Sequence, residues 1–426
     1  MKSYFAIAII LSLLLTIWVI VTIRQPRHGY HMQTDPRTLV TTDNFDILKR
    51  VAQDRIAMIV KDSGLFAPYN PEAMESVSKA VEASSSLNEL GAAFLLLPNN
   101  SLGSAPVAPL TGVPEDTTLF QFEQGTAGWY WGYATYKDQP STGDAANIMY
   151  YIIRIDLGTP EIRAKYNLPL GATTLYSVSV GAGLGKGTWR YSPYAMCRGK
   201  YEIKDARQFQ FTAESQDGDV TISFGAEKTS LMLEFSCKEK GNVFSSSTTF
   251  DIARSARFNA PRGCAPCIAG SGTLYWSYPH LVASSTITVD GKTQQGLTGG
   301  DGWLDHQWMR GNAPDSLGVQ ILTNISQLSK SVGGLGRYVW INVHLEGHEF
   351  MITAFPPQSA EISAGQTYAA KFISYPEHGD TTYDNETTMV FEKTTEINGI
   401  TFPTVFTIAL PGSEKTEKYT ISSVPY

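Results

Sequence analysis

The chain has little cysteine, no surplus of positive charge, and none of the short catalytic signatures by which many enzymes are read. Four cysteines stand in 426 residues, namely Cys197, Cys237, Cys264 and Cys267, too few to staple a fold of this length. Cys264-Ala-Pro-Cys267 is half of a zinc signature, but the other two lie 40 positions apart and fit no standard zinc spacing. A disulfide, a redox pair and ordinary buried thiols all stay open. No Gly-x-Ser-x-Gly elbow occurs, since Ala269-Gly-Ser-Gly272 lacks the first glycine, and this argues against a serine hydrolase. Gly181-Ala-Gly-Leu-Gly-Lys-Gly187 matches neither the dinucleotide fingerprint nor the phosphate loop, and reads as a hairpin or bulge. His344 and His348 are four apart on a strand-like run, too far along one face for an easy chelate. No metal and no other cofactor is expected. Residues 31–426 hold all 40 acidic side chains but only 30 of the 33 basic ones, a balance of about −10. Nucleic acid, which demands a basic surface, is therefore not an expected partner.

What is present begins with one long apolar run. Residues 5–23 are 19 uncharged positions, with Ser12, Thr16 and Thr22 as the polar members. As a helix this run would reach about 28 Å, close to the roughly 30 Å hydrocarbon core of a bilayer. It exceeds the apolar stretch of a secretory signal, about 7–15 residues, and no small-residue cleavage site follows it. The sequence thus predicts a single-pass membrane protein with an N-terminal anchor and the lipid bilayer as a partner. Lys2 on one side and Arg24, Arg27 and Arg37 on the other differ too little to choose the side of the membrane.

After the anchor (1–30), residues 31–97 read as a helical collar. Phe45, Leu48, Val51, Ile56, Ile59 and Val60 recur at helical spacings behind Asp43 as a cap. A second helix opens at Asn70-Pro71-Glu72 and carries Met74, Val77, Ala80 and Val81, and a shorter one covers 87–97. Residues 98–117, rich in turn formers and proline, read as a linker. From Thr118 onward the signal is short strands between turns, with no helical period of any length. Thr286-Ile-Thr-Val-Asp-Gly-Lys-Thr places an Asp-Gly turn after an alternating strand, a strong hairpin signal. Val220-Thr-Ile-Ser-Phe, Leu231-Met-Leu-Glu-Phe and Tyr338-Val-Trp-Ile-Asn-Val-His-Leu are strand-like as well. Many such strands imply barrels or sandwiches, and a barrel can hold a ligand.

The segment that speaks most directly to chemistry is Gly299-Gly-Asp-Gly-Trp-Leu-Asp-His-Gln-Trp308. On a strand, Trp303, Asp305 and Gln307 share one face while Leu304, His306 and Trp308 share the other. A carboxylate beside an indole on the inner face of a barrel would be desolvated, which raises its pKa and suits it to donate a proton near neutral pH. The competing reading makes Asp305 a structural acceptor that ties backbone or indole N–H groups together.

The run Gly272-Thr-Leu-Tyr-Trp-Ser-Tyr-Pro-His-Leu-Val-Ala-Ser-Ser-Thr-Ile-Thr-Val-Asp-Gly291, followed by Gly302-Trp-Leu-Asp-His-Gln-Trp308, resembles the lipocalin-like AttH/CrtC family. That family includes carotenoid 1,2-hydratase (hydroxyneurosporene synthase), with kievitone hydratase and fungal Diels–Alderases among its relatives. Gly128-Trp-Tyr-Trp-Gly is similar to its opening strand, and Arg337-Tyr-Val-Trp-Ile-Asn-Val-His-Leu-Glu-Gly-His-Glu-Phe-Met to the first hairpin of its second barrel. The resemblance implies a mainly β fold of two tandem lipocalin-like antiparallel barrels, at 118–310 and 311–426, around or against a hydrophobic pocket. In the hydratase branch the Asp of the Trp-x-Asp motif is the proton donor and aromatic residues of the preceding strand assist it. Those roles map onto Asp305, Trp276 and Tyr278. Protonating an alkene makes a carbocation that ring faces stabilise, and water then adds. Trp303, His306, Gln307, Trp308, Trp129 and Trp131 are the ligand-binding residues so implied. Met309 departs from the family's glycine, and Leu304 from the hydratase's tyrosine. The upstream histidine of the hydratase has only Leu274 or His280 as near counterparts.

Two functions follow as expectations. One is a membrane-anchored double lipocalin that binds a hydrophobic small molecule, an isoprenoid or lipid, and hydrates or isomerises it with Asp305 as acid. The other is a non-catalytic structural or interaction protein held in a membrane or viral envelope.

Overall fold

The structure, a computed structural model, describes residues 37–62, 71–95, 127–137, 146–184, 190–310 and 339–420, less breaks of one to eight residues within the last two segments. The expected anchor at 5–23 and the linker at 98–117 lie outside the described residues. Among those described, no helix is long and apolar enough to cross a membrane.

The first sheet has 14 strands: β1 (Arg37–Val40), β2 (Ala127–Tyr136), β3 (Ala146–Asp156), β4 (Thr174–Leu184), β5 (Arg190–Tyr191), β6 (Ala195–Asp205), β7 (Gln208–Ser215), β8 (Val220–Ala226), β9 (Ser230–Glu239), β10 (Asn242–Ile252), β11 (Arg257–Phe258), β12 (Cys264–Ile268), β13 (Ser271–Val289) and β14 (Lys292–Arg310). Ten of them close a ring in the order β6-β7-β8-β9-β10-β13-β14-β2-β3-β4, and β4 returns to β6. Closure removes the sheet edges and leaves an inside that alternate residues must fill. Val220, Ile222 and Phe224 of β8 point inward, as do Phe209 and Phe211 of β7, and their neighbours face out. The closing seam is short: Tyr176↔Cys197, Ser177↔Met196 and Val178↔Ala195. Where β4 and β6 part, Thr41 clasps both. Its N–H donates to the Gly199 carbonyl of β6 at 3.0 Å and its hydroxyl to the Thr174 carbonyl of β4 at 2.7 Å. Cys197 and Cys237 are free, buried thiols of this barrel; the side chains of Cys264 and Cys267 lie outside what the structure describes.

The Asp-Gly turn reads as its sequence requires. Asp290 and Gly291 both take positive φ, at 49° and 75°, which is what a two-residue hairpin closed by Val289↔Lys292 demands.

Helices α1 (Phe45–Asp62), α2 (Pro71–Ala83) and α3 (Leu87–Leu95) pack on the barrel wall. Leu48, Val51, Val77, Val81 and Leu90 share one apolar cluster with Ile155, Leu175 and Met196 of the strands. The region read as a collar between bilayer and globule is thus part of the globule. After residue 118, where the sequence shows no helical period of any length, the strands are interrupted by a short helix, α4 (Pro160–Lys165). Thr159 caps it, accepting from the Ile162 N–H at 3.3 Å, and Pro160 supplies the preset φ of a first helical turn.

The second sheet is a six-stranded meander of β15 (Val339–Leu345), β16 (His348–Ala354), β17 (Gln366–Pro376), β18 (Thr382–Ile397), β19 (Ile400–Ala409) and β20 (Thr416–Thr420). Phe350, Ile352, Tyr368, Phe391 and Phe406 form its core. Its first and last strands do not pair with each other among the described residues.

A candidate site at the junction of the two sheets

Strand β14 divides its side chains between two environments. Leu304 and His306 point into the first barrel, where the His306 ring stacks on Tyr130 at 4.0 Å and meets the edge of Trp276 at 5.4 Å. Trp303 and Asp305 leave the other face and meet the second sheet. There Trp303, Met351, Ile373 and Tyr375 are buried, with Trp131, Tyr133, Tyr275, Trp340 and Tyr383 packed half-buried against them. The register sets the division. Trp276 pairs with His306, and His306 with Tyr130; Ser277 pairs with Asp305, and Asp305 with Trp131.

Asp305 was expected on an inner barrel face beside Trp276 and Tyr278. The structure places those two rings inside the barrel and Asp305 outside it, because adjacent strand positions emerge on opposite faces. Trp303 and Trp131 do share the Asp305 face. Gln307 pairs with Tyr275 and Trp129, and Trp308 with Leu274 and Gly128. The side chains of Gln307, Trp308 and Trp129 lie outside what the structure describes.

The Asp305 carboxyl is 6% exposed and accepts three hydrogen bonds. The Trp303 indole N–H donates to Oδ1 at 2.6 Å, the Ser277 hydroxyl donates to the same oxygen, and the Tyr275 phenol donates to Oδ2 at 2.8 Å. Burial pushes its pKa up to about 6, with the three donors pulling the other way. The network continues outward. Ser277 accepts from Asn259 Nδ2 at 2.6 Å, and Tyr375 of the second sheet donates to Asn259 Oδ1 at 2.6 Å.

A second polar group lies in the same junction. Glu349 of β16 is fully buried, with His280 Nδ1 at 3.0 Å from Oε1 and Arg254 Nη1 at 2.8 Å from Oε2. His344 pairs across the hairpin with Glu349, and its ring lies 5.5 Å from His280 and 6.1 Å from Trp303. Asn342 Nδ2 and Tyr133 Oη approach His344 Nε2 at 3.0 and 3.4 Å. Burial pushes His344 down to about 4, so it is neutral at physiological pH. A bulge brings His280 here: Tyr278 pairs with Leu304 and Leu281 with Gly302, so Pro279 and His280 both stand opposite Trp303. The extra residue turns His280 out of the barrel.

Tyr275, Ser277, Asn259, Tyr375, Arg254 and Glu349 were not read from the sequence. Tyr275 and Ser277 had a signal, being the alternate neighbours of Trp276 and Tyr278; the others come from loops and strands that only folding brings near.

Solved structures similar to this one include a putative AttH protein from Nitrosomonas europaea, at 13% identity over 72% of this chain and 84% of that one, with a TM-score of 0.46. Kievitone hydratase from Nectria haematococca follows at 14% identity over 73% and 83%, TM-score 0.37. CghA follows at 12% over 74% and 91%, TM-score 0.36. No family model and no curated protein matches the chain.

Proposed function

We propose that the junction binds an apolar small molecule with an alkene, an isoprenoid or lipid, and hydrates or isomerises it using the proton of Asp305. The supporting observation is a buried carboxyl with a pKa near 6 beneath half-buried aromatic rings. Because its oxygens are covered by Trp303, Ser277 and Tyr275, the proton reaches the ligand through the Tyr275 phenol. With Asp305 protonated the bond seen between them reverses, the carboxylic acid donating to Tyr275 Oη; Tyr275 then gives its O–H proton to one alkene carbon, and Asp305 replaces it, becoming a carboxylate. The carbocation is stabilised by the ring faces of Trp131, Trp303 and Trp340. In hydration, water oxygen bonds to the cation and a water proton returns to Asp305; in isomerisation, a neighbouring C–H supplies it. The run at 5–23 would hold the site beside a lipid phase in which such a ligand dissolves.

The test is mass spectrometry of apolar molecules that copurify with the full chain, then incubation of the wild type and D305N with the molecule found. Binding by both and conversion by the wild type alone supports the reading. Copurification of nothing apolar, or equal conversion by D305N, overturns it. A second reading, Asp305 as a structural acceptor, is favoured by the chain Tyr375–Asn259–Ser277–Asp305, which ties the two sheets together. It predicts that D305N loses stability and no chemistry.

A further inference from the structure

The group around Glu349 holds polar atoms that its own neighbours leave unsatisfied. Both Glu349 oxygens are buried without a directed hydrogen bond, although His280 Nδ1 and Arg254 Nη1 stand at ion-pair distance from them. His344 Nδ1 is also buried without a hydrogen-bond partner. A buried carboxylate whose closest neighbours are near but not aimed at it is an arrangement that an additional bound group would complete.

We propose that His280, His344 and Glu349 form a binding site for one divalent first-row transition cation of the zinc, cobalt or nickel type. Each residue offers one ligand atom, and the three atoms lie within 4.8 Å of one another. Bonds of roughly 2.0–2.2 Å put ligand atoms around one ion a little over 3 Å apart, so the set closes on an ion by side-chain rotation of an ångström or so. Two imidazoles and a carboxylate suit a borderline cation rather than calcium or magnesium, which prefer oxygen alone. The three ligands come from both sheets: His280 from the β13 bulge, His344 and Glu349 from neighbouring positions of the β15–β16 hairpin. His348, which its spacing from His344 set aside as a chelate partner, bonds Ser374 at 2.8 Å. Arg254 stands 2.8 Å from Oε2 and opposes a cation by charge, so Oε1 is the ligand oxygen and the affinity is moderate. The site needs neither a bound alkene nor proton transfer from Asp305, and it stands or falls separately from them.

The full chain, stripped with a chelator and dialysed, would be titrated with cobalt(II) and zinc(II). The expected result is one equivalent bound, a visible cobalt absorption displaced by zinc, and a higher melting temperature of the loaded protein. E349Q and H344Q each lower the affinity at least about tenfold, while H348A leaves it unchanged. No stoichiometric uptake by the folded wild type, or uptake unaltered in both E349Q and H344Q, overturns the assignment and leaves the three residues as an ion-pair cluster.

Discussion

Asp305 and His306, neighbours in the chain, serve opposite sides of one wall: the carboxyl accepts from Tyr275, Ser277 and Trp303 at the junction, while the imidazole stacks on Tyr130 within the barrel. A ligand that reaches one of them does not reach the other without crossing β14. Both faces carry rings, and the buried carboxyls of Asp305 and Glu349 lie on the junction face.

The titration of Asp305 ties stability to pH with a definite sign. Its folded value of about 6 lies above the 3.8 of an unperturbed carboxyl, so the native state binds the proton more tightly than the unfolded chain. That contribution is complete below about pH 4 and is lost as pH rises to about 6, amounting to at most about 3 kcal/mol at 1.36 kcal/mol per unit. D305N carries no titrating group there. Denaturant unfolding at pH 4.5 and pH 7.5 is expected to show the wild type losing about 2 kcal/mol more than D305N over that range. An equal change in both proteins would refute the assignment.

Tyr275 holds down the Asp305 pKa by donating to Oδ2. Y275F therefore moves the carboxyl's titration upward from about 6. Carbon-13 NMR of labelled aspartate, read against D305N to identify the resonance, reports the midpoint directly. A midpoint that stays or falls contradicts the hydrogen bond.

Arg163 neutralises a carboxylate sealed under α4. Its Nη1 donates to Asp156 Oδ2 and to the Gly158 carbonyl, both at 2.9 Å, and Thr173 donates to Asp156 Oδ1 at 2.6 Å. R163M leaves Asp156 buried with its closest cation removed, and the expected cost is about 3–5 kcal/mol. R163M/D156L, which removes both charges, regains part of this in the same denaturation assay.

Gly132 lets β2 lie against the ring of Tyr150, since a Cβ there would sit 2.6 Å from Tyr150 Cζ. The Tyr150 side chain is fully buried and cannot swing away. G132A is expected to destabilise the chain by about 1–3 kcal/mol through overpacking, and G132A/Y150F not to relieve it, because the ring carbons clash as well as the hydroxyl.

The strand character of β14 and the separation of Trp303 and Asp305 from Leu304 and His306 were legible, because period two follows from the pleat alone. Which face was the inside was not. Both faces carry rings, so hydrophobic content does not mark the interior; the pairing of Ser277 with Asp305 marks it, and pairing is a property of two strands together. The helices over 45–95 were legible from their spacing, and their docking on Leu175 and Met196 was not, since each member looks like an ordinary apolar residue. Thr159-Pro160-Glu161 did announce α4, though six residues are too few for a period to show. The group at Glu349 needed a bulge at Pro279 and His280 that only a partner strand reveals.

Thr41 gives the barrel a mechanical address. Any tension arriving from the N-terminal side enters the described fold at Arg37, runs along the four rungs of β1 on β6, and comes to bear on the clasp between Gly199 and Thr174. Behind that clasp stand three residue pairs of seam. A chain tugged from its leading end would therefore yield first along the line where the ring was closed, opening as a curtain rather than unravelling as a thread.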